Sequence, residues 1–181
     1  NVPPTLISFA VSVGDARRII SPEFKRAGAR ICLIAPRMRA NGLPDPASLR
    51  EVFDEVHSLI AAGRVVSAMV PGFGGIAAAV FKMCLGNRIG LDFAPDFDMS
   101  AAFDAQTGAF VVELSDDAPD AGTPIGVTTE SYALNGAPLD ALEEVYEGRL
   151  EGVFPSGRPG GEAVRAFSFE ASARISPRVK I

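Results

Sequence analysis

The sequence predicts an α+β fold in which strands and helices gather into a layered, mixed sheet. Three observations carry the prediction. Short apolar runs rich in β-branched residues recur at 30–35, 65–70 and 109–114, each the length of a buried strand. Stretches with apolar residues at helical spacing occur among them, at 46–60 and 76–85. The two kinds of segment are mingled, without the strict strand–helix alternation of a doubly wound fold. At 181 residues the chain is long enough for one well-packed domain, or one domain and a tail.

Residues 5–13 (TLISFAVSV) read as a first strand, ended by Gly14 and Asp15. Asp15 is placed to cap a short helix through Ile20, and Ser21 with Pro22 starts another turn. The run 30–35 (RICLIA) is a second, fully apolar strand. A polar loop marked by Asn41, Gly42 and Pro44 then leads to the clearest helix of the chain. Asp45 is its N-cap and Pro46 its first residue, a favoured pairing because proline lacks the N–H that would be left unpaired there. Leu49, Val52, Phe53, Val56, Leu59 and Ile60 form its apolar face, and Gly63 closes it.

A third strand at 65–70 runs through a glycine turn into a small-residue helix over 76–85, closed by Gly86 and Asn87. Strands are expected at 88–93, 109–114 and 125–130, with a short helix near 99–103 and an acidic loop at 115–124. Residues 132–134 are expected to pair across the tight-turn signal Asn135 and Gly136. A terminal helix follows at 139–150, with Leu142, Val145 and Tyr146 on its face. After Pro155 the stretch SGRPGG reads as a linker, which divides the chain into a module at 1–155 and a tail at 156–181.

Composition narrows the function classes. Apolar residues make up 48% and charged residues 22%, as in ordinary soluble domains. Seventeen basic against twenty-two acidic side chains give a net charge of −5, and the basic ones are scattered, so no nucleic-acid partner is expected. No apolar run approaches the roughly 20 residues that cross a bilayer, so no membrane partner is expected either. The opening Asn1, Val2, Pro3 and Pro4 do not form a signal peptide, and a cytoplasmic location is expected. Cys32 and Cys84 sit inside apolar runs without metal spacing and read as buried structural thiols of a reducing compartment. The missing initiator methionine reads as the mark of a piece excised from something longer.

The stretch 65–87, VVSAMVPGFGGIAAAVFKMCLGN, holds the candidate site. A buried strand that meets a glycine turn and opens a helix presents free N–H groups at the positive end of a helix dipole. That arrangement holds anions, phosphate above all. Gly72, Gly74 and Gly75 are the candidate cofactor-binding backbone, and Phe73 is expected to pack inward or cover a ligand. The turn matches neither GxxxxGK[ST] nor GxGxxG, and its glycines would serve equally to let strand and helix approach closely.

Other polar residues carry less. His57, the only histidine, is expected as a partly exposed structural residue, since no nucleophile is placed beside it. Asp92, Asp96, Asp98 and Asp104 fail the EF-hand spacing and read as solvated loop carboxylates. Asp116, Asp117 and Asp120 read as a solubilising surface. No catalytic residue and no metal site is assigned.

Taken together, TLISFAVSVGDARRIISPEF, the long helix, VVSAMVPGFGGIAAAVFKMCLGNRIGLDF, FVVEL, IGVTTE and LEEVYEGRLEGVFP resemble a known family. They look like the C-terminal module of the aminoimidazole-ribotide-synthase superfamily, in the version found in the phosphoribosylformylglycinamidine synthase family, second copy. LEGVFP at 150–155 resembles the ending before that family's glutaminase domain, and SPRVKI at 176–181 resembles the first strand of that glutaminase. The resemblance implies an α/β/α layered fold with a mixed sheet. It implies membership in an ATP- and glutamine-dependent ligase that converts formylglycinamide ribotide to its amidine, with ATP and Mg as cofactors of the whole enzyme. ATP-binding modules and the glutaminase domain of the same polypeptide would be its partners.

One departure weighs on the site. Family members often carry an acid in the turn that contributes to a Mg–nucleotide site, followed by Ser or Gly and then Asp-Gly-Gly. The matching positions here are Val70, Gly72, and Phe73 with Gly74 and Gly75. An apolar Val70 cannot ligate Mg²⁺, which needs hard oxygen donors. The resemblance thus implies, at most, backbone contacts to a phosphate and no metal, with no activity from this piece alone. The alternatives are a purely structural packing module, or the equivalent module of another superfamily member. A module separated from its partners exposes the face that meets them, so self-association is expected.

Overall fold

A fully apolar strand needs a partner on each edge and a packed layer on each face, and the segment around Cys32 receives both. The computed structural model describes residues 6–153 and 155. Its strands are β1 (Arg30–Ile34), β2 (Val65–Met69), β3 (Gly90–Phe93), β4 (Phe110–Leu114), β5 (Thr123–Thr129), β6 (Ala133–Leu134) and β7 (Ala137–Pro138). Its helices are α1 (Pro46–Ala61), α2 (Gly75–Leu85) and α3 (Leu139–Gly148), with 3-10 turns at Ala16–Arg18 and Met99–Phe103. Among the described residues the strands form one mixed sheet in the order β2-β4-β1-β5-β3-β6-β7. All pairings are antiparallel except β3 with β6.

The layers follow from the two-residue period of the strands. Ile31 points to the side of α2, where Ile76, Ala79, Val80, Met83 and Cys84 pack with Leu91, Val111 and Ile125. Cys32 and Ile34 are in the opposite cluster, where Val52 and Val56 of α1 meet Val65, Val112 and Leu114. The result is the expected α/β/α arrangement of a mixed sheet.

The chain divides into two compact units, Asn1–Tyr146 and Glu147–Ile181, and the whole sheet belongs to the first. In the second, the N–H groups of Glu151 and Val153 donate to the carbonyls of Gly148 and Leu150. The expected linker and strand at 156–181 lie outside the described residues.

Local chemistry sets α1. Asp45 accepts from the N–H groups of Ala47 and Ser48, both at 3.1 Å. Those bonds, with the Arg39 guanidinium, hold its carboxyl below the ordinary range. At the other end Gly63 takes φ of 70°, so that its N–H and that of Arg64 return to the carbonyls of Ile60 and Leu59.

The least expected core contact is a carboxylate. Glu113 of β4 is fully buried. It accepts from the N–H groups of Lys25 (2.8 Å) and Arg26 (3.3 Å) and from the Ser67 hydroxyl (2.9 Å). These bonds tie the loop before β1 to β4 and to the edge strand β2.

Several expectations need correction. Residues 6–13 form no strand: Leu6, Ile7, Phe9, Val11 and Val13 are all exposed. Their alternation marks a strand, but a strand exists only where a ladder partner is supplied, and these residues find none within the described chain. In α3 Leu139 is buried and the half-exposed Tyr146 sets its ring edge-on to Phe81 at 5.4 Å, whereas Leu142 and Val145 are exposed. Its first turn is held by Arg88, which pairs with Asp140 at 2.5 Å and lies over the Tyr132 ring. That same Arg88 adopts a left-handed φ of 54°, which delays the start of β3 to Gly90. Phe53 of α1 is half exposed, its ring edge-on to Phe110.

Two outcomes follow. Glu113→Ala strands three donors in an apolar layer and should lower stability by about 3 kcal/mol in urea unfolding, against about 1 kcal/mol for Ser67→Ala. A Glu113 variant within experimental error of the parent would show that the carboxylate is not a structural tie. Bonds from Lys25 and Ser21 hold the Glu23 carboxyl down from its ordinary 4.5 to about 2. Its stabilising contribution is therefore present above pH 4.5 and disappears as pH falls towards 2. The stability curves of the parent and of Glu23→Gln should converge in that window; curves that stay parallel down to the acid limb refute it.

Candidate functional site

The glycine turn forms where β2 ends and α2 begins. Gly72, Phe73 and Gly74 are exposed, and Gly75 is buried. The Gly72 carbonyl accepts the Gly75 N–H at 3.0 Å, and the Gly74 carbonyl accepts that of Ala78 at 3.2 Å, the first bond of the helix. Gly75 takes a left-handed φ of 64°. A Cβ there would lie 2.6 Å from the Ala102 carbonyl oxygen and 2.7 Å from that of Asp104. The main chain of the turn at Met99–Phe103 is therefore seated directly on the helix start. Gly74 is confined more locally, because its Cβ would meet that of Ala78 at 2.5 Å, while Gly72 faces open space.

This geometry separates the three candidate glycines. The Gly75 N–H is already engaged inside the turn. The N–H groups of Gly74, Ile76 and Ala77 have no acceptor among the described residues, and Gly74 provides no side-chain cap. The unpaired donors lie at the positive end of an eleven-residue helix, the end that favours an anion, with Gly74 exposed and Ile76 buried. Phe73 does not pack inward: its side chain stands fully in solvent. Val70, Met99 and Phe103 are exposed beside it in the chain segments that build this end of the sheet.

The donor set does not suit a divalent cation. Val70 presents only methyl groups, and among the described residues no group of three or more His, Cys, Asp or Glu side chains could hold a metal. Asp98 instead caps its own 3-10 turn, accepting from the N–H and hydroxyl of Ser100. Asp92, Asp96 and Asp104 are exposed, as is His57.

The acidic loop is the expected solvated surface, and its exposed carboxylates also pair with arginines. Asp116 pairs with Arg26 at 2.5 Å, Asp117 with Arg64, and Asp120 with Arg30 at 2.8 Å. Each partner lies far away in sequence, so no local signal announced the pairs. Both thiols are free and buried, and burial pushes Cys84 up to about 12. On the half of the sheet that α1 leaves open, a groove of about 740 Å³ is lined by Arg30, Cys32, Phe93, Asp120 and Pro124. It does not include the glycine turn. Sequence reasoning missed the role of Met99–Phe103 as the seat of Gly75. The one available signal was a second glycine where the helix needed only one.

No protein-family profile and no curated protein matches the chain. Solved structures do. T. maritima PurL complexed with ATP aligns with a TM-score of 0.59 and 14% identity over 70% of this chain and 27% of that one. Phosphoribosylformylglycinamidine synthase II from Thermotoga maritima gives 0.58 and 13% over 84% of this chain and 30% of that one. T. maritima PurL complexed with FGAR gives 0.56 and 12% over 86% and 32%. The chain thus has the fold found in part of PurL, and it spans between 27% and 32% of those chains. No helix among the described residues is long and apolar enough to cross a membrane.

The glycine geometry is directly testable. Gly75→Ala combines a left-handed backbone with collisions against two carbonyl oxygens and should cost about 2 kcal/mol or more. Gly72→Ala enters open space and should stay within about 0.5 kcal/mol of the parent. Equal effects of the two substitutions on the urea midpoint would contradict the seating of the turn on Met99–Phe103.

Proposed function

We propose that this chain is a non-catalytic module of a phosphoribosylformylglycinamidine synthase, the ATP- and glutamine-dependent ligase that converts formylglycinamide ribotide to its amidine. The observation that carries the reading is the coincidence of two things. The fold is shared with PurL over 84% of this chain, and the glycine turn leaves the Gly74, Ile76 and Ala77 N–H groups unpaired at the start of α2. The module extends over 1–155 in this reading, with 156–181 as linker and the start of a glutaminase. Its partners are the ATP-binding modules and the glutaminase domain of the same polypeptide, in the cytoplasm.

The role of the chain's residues is narrow. The three free N–H groups would hold a nucleotide phosphate, and Gly75, locked against the carbonyls of Ala102 and Asp104, keeps them aimed. When bound, ATP supplies the group that activates the amide oxygen. Mg²⁺ finds no oxygen ligand at Val70, so the phosphate contact here is independent of metal. The exposed side chains at the turn itself, Phe73 and the preceding Val70, offer no acid, base or nucleophile, and in this reading the module positions and does not react. A structural reading, in which this end of the sheet only packs on a neighbouring module, is favoured by the exposure of Val70, Phe73 and Phe103.

Amide-resolved NMR titration of the chain with ADP separates the two. Phosphate holding predicts shifts confined to Gly74, Ile76, Ala77 and their neighbours at millimolar ADP, with the same affinity in Mg²⁺ and in EDTA. Absent or scattered shifts would eliminate it and leave the packing role.

A further inference from the structure

The sheet face that carries α1 continues past Cys32 as the groove of about 740 Å³ over β5. Strand register places the charges of that groove. Val127 of β5 lies opposite Arg30 of β1 on one side and Asp92 of β3 on the other, and all three line the space. Neighbouring strands are about 4.8 Å apart, so Arg30 and Asp92 stand about 10 Å from each other with an apolar residue between them.

The floor does not await another layer of chain. Cys32 and Ala121 are only 3% and 8% exposed and Gly126 is buried, so among the apolar lining of β1 and β5 only Pro124 and Val127 are left in solvent. A helix needs a long uncovered strip to pack on, and these two side chains do not make one. A concave space of this volume, mostly apolar and with few polar groups, has the dimensions and chemistry of a small-molecule site.

Its charges do not balance. The Arg30 guanidinium is engaged, with Nη1 donating to Asp120 at 2.8 Å and Nη2 to the Ala118 carbonyl at 2.7 Å. The Asp92 carboxylate has no hydrogen bond and no ion pair among the described residues. With Arg30 matched by Asp120, one negative charge remains, on Asp92, beside an apolar floor.

We propose that this groove binds a small organic cation, a primary amine or guanidine on an apolar body. The cationic group sits on Asp92 and the body lies over Val127 and Pro124. Charge complementarity selects this class, since an anion would meet two carboxylates and a neutral ligand would leave Asp92 unmatched. Arg30 repels the cationic end from the opposite side of Val127, which fixes the direction in which the ligand lies. The inference is independent of the phosphate reading, because the groove does not include the glycine turn and its ligand has the opposite charge.

Phenethylamine, phenethyl alcohol and hydrocinnamate carry the same ring on cationic, neutral and anionic ends, and amide-resolved NMR titration of the chain with each tests the claim. Phenethylamine should bind in the millimolar range, shifting the amides of Asp92, Gly126 and Val127 and leaving those of Gly74 and Ile76 in place. The alcohol should bind about threefold more weakly and hydrocinnamate more weakly still, because an exposed ion pair adds little to the burial of the ring. Asp92→Asn should bring the amine down to the level of the alcohol and leave the affinity for the alcohol unchanged. Asp92 is exposed, so the thermal transition of that variant should match the parent. No binding of the amine, an amine no tighter than the alcohol, or a preference for the amine that survives Asp92→Asn would each overturn the proposal. Tighter binding of Nα-acetyl-lysine amide than of phenethylamine would overturn it too, by assigning the groove to a basic side chain of a neighbouring polypeptide.

Discussion

The structure depends on one buried carboxylate. Glu113 is fully buried in a largely apolar core, and it is tolerated because three donors converge on it. Two of those donors are main-chain groups of the loop before β1, the segment that seals α2 against the sheet. The same loop buries Phe24, whose N–H donates to the Met83 carbonyl and whose own carbonyl accepts from Asn87. Thr128 completes the anchorage: its hydroxyl accepts the Ala29 N–H and donates to the Arg26 carbonyl. An apolar residue at position 113 would suit the layer and leave the loop untied. The carboxylate thus links the edge of the sheet, its centre and the α2 layer in one set of bonds.

That seal has consequences at the other end of α2. The helix is clamped by Met83 and Cys84 in the core, so its first residue has little freedom. Gly75 accommodates the turn at Met99–Phe103 by having no Cβ and by turning left-handed. Close packing of two backbones and presentation of unpaired N–H groups are therefore the same feature seen from two sides. A turn built to pack tightly also leaves an anion site, and the side chains around it, Val70 and Phe73, decide that only main-chain chemistry remains.

Legibility in the sequence followed the range of the interactions. The α1 helix was readable end to end because Asp45, Pro46 and Gly63 act within a few residues of where they stand. The strands around Cys32, Ser67 and Val112 were readable from apolar runs, and the hairpin of β6 and β7 from Asn135 and Gly136. The site was readable as a turn with glycines, and its free donors only in part, since the engagement of the Gly75 N–H depends on how the turn closes. Nothing local distinguished Glu113 from an outward-facing strand residue. Nothing local linked Asp116, Asp117 and Asp120 to Arg26, Arg64 and Arg30 either, because those contacts join residues that the fold alone brings together.

The segment 6–13 marks the boundary most sharply. By itself the sequence determined that these residues have the period of a strand, that α1 starts at its cap, and that a glycine turn joins β2 to α2. Periodicity and capping are properties of neighbouring residues, and they survive without any knowledge of the rest. Only the tertiary structure decided that 6–13 has no ladder among the described residues, that Glu113 is a tie rather than a surface charge, and that Gly75 is held by the carbonyls of Ala102 and Asp104. Each of these rests on what lies across space from a residue. A strand, a buried charge and a glycine without room for a Cβ are all defined by their partners.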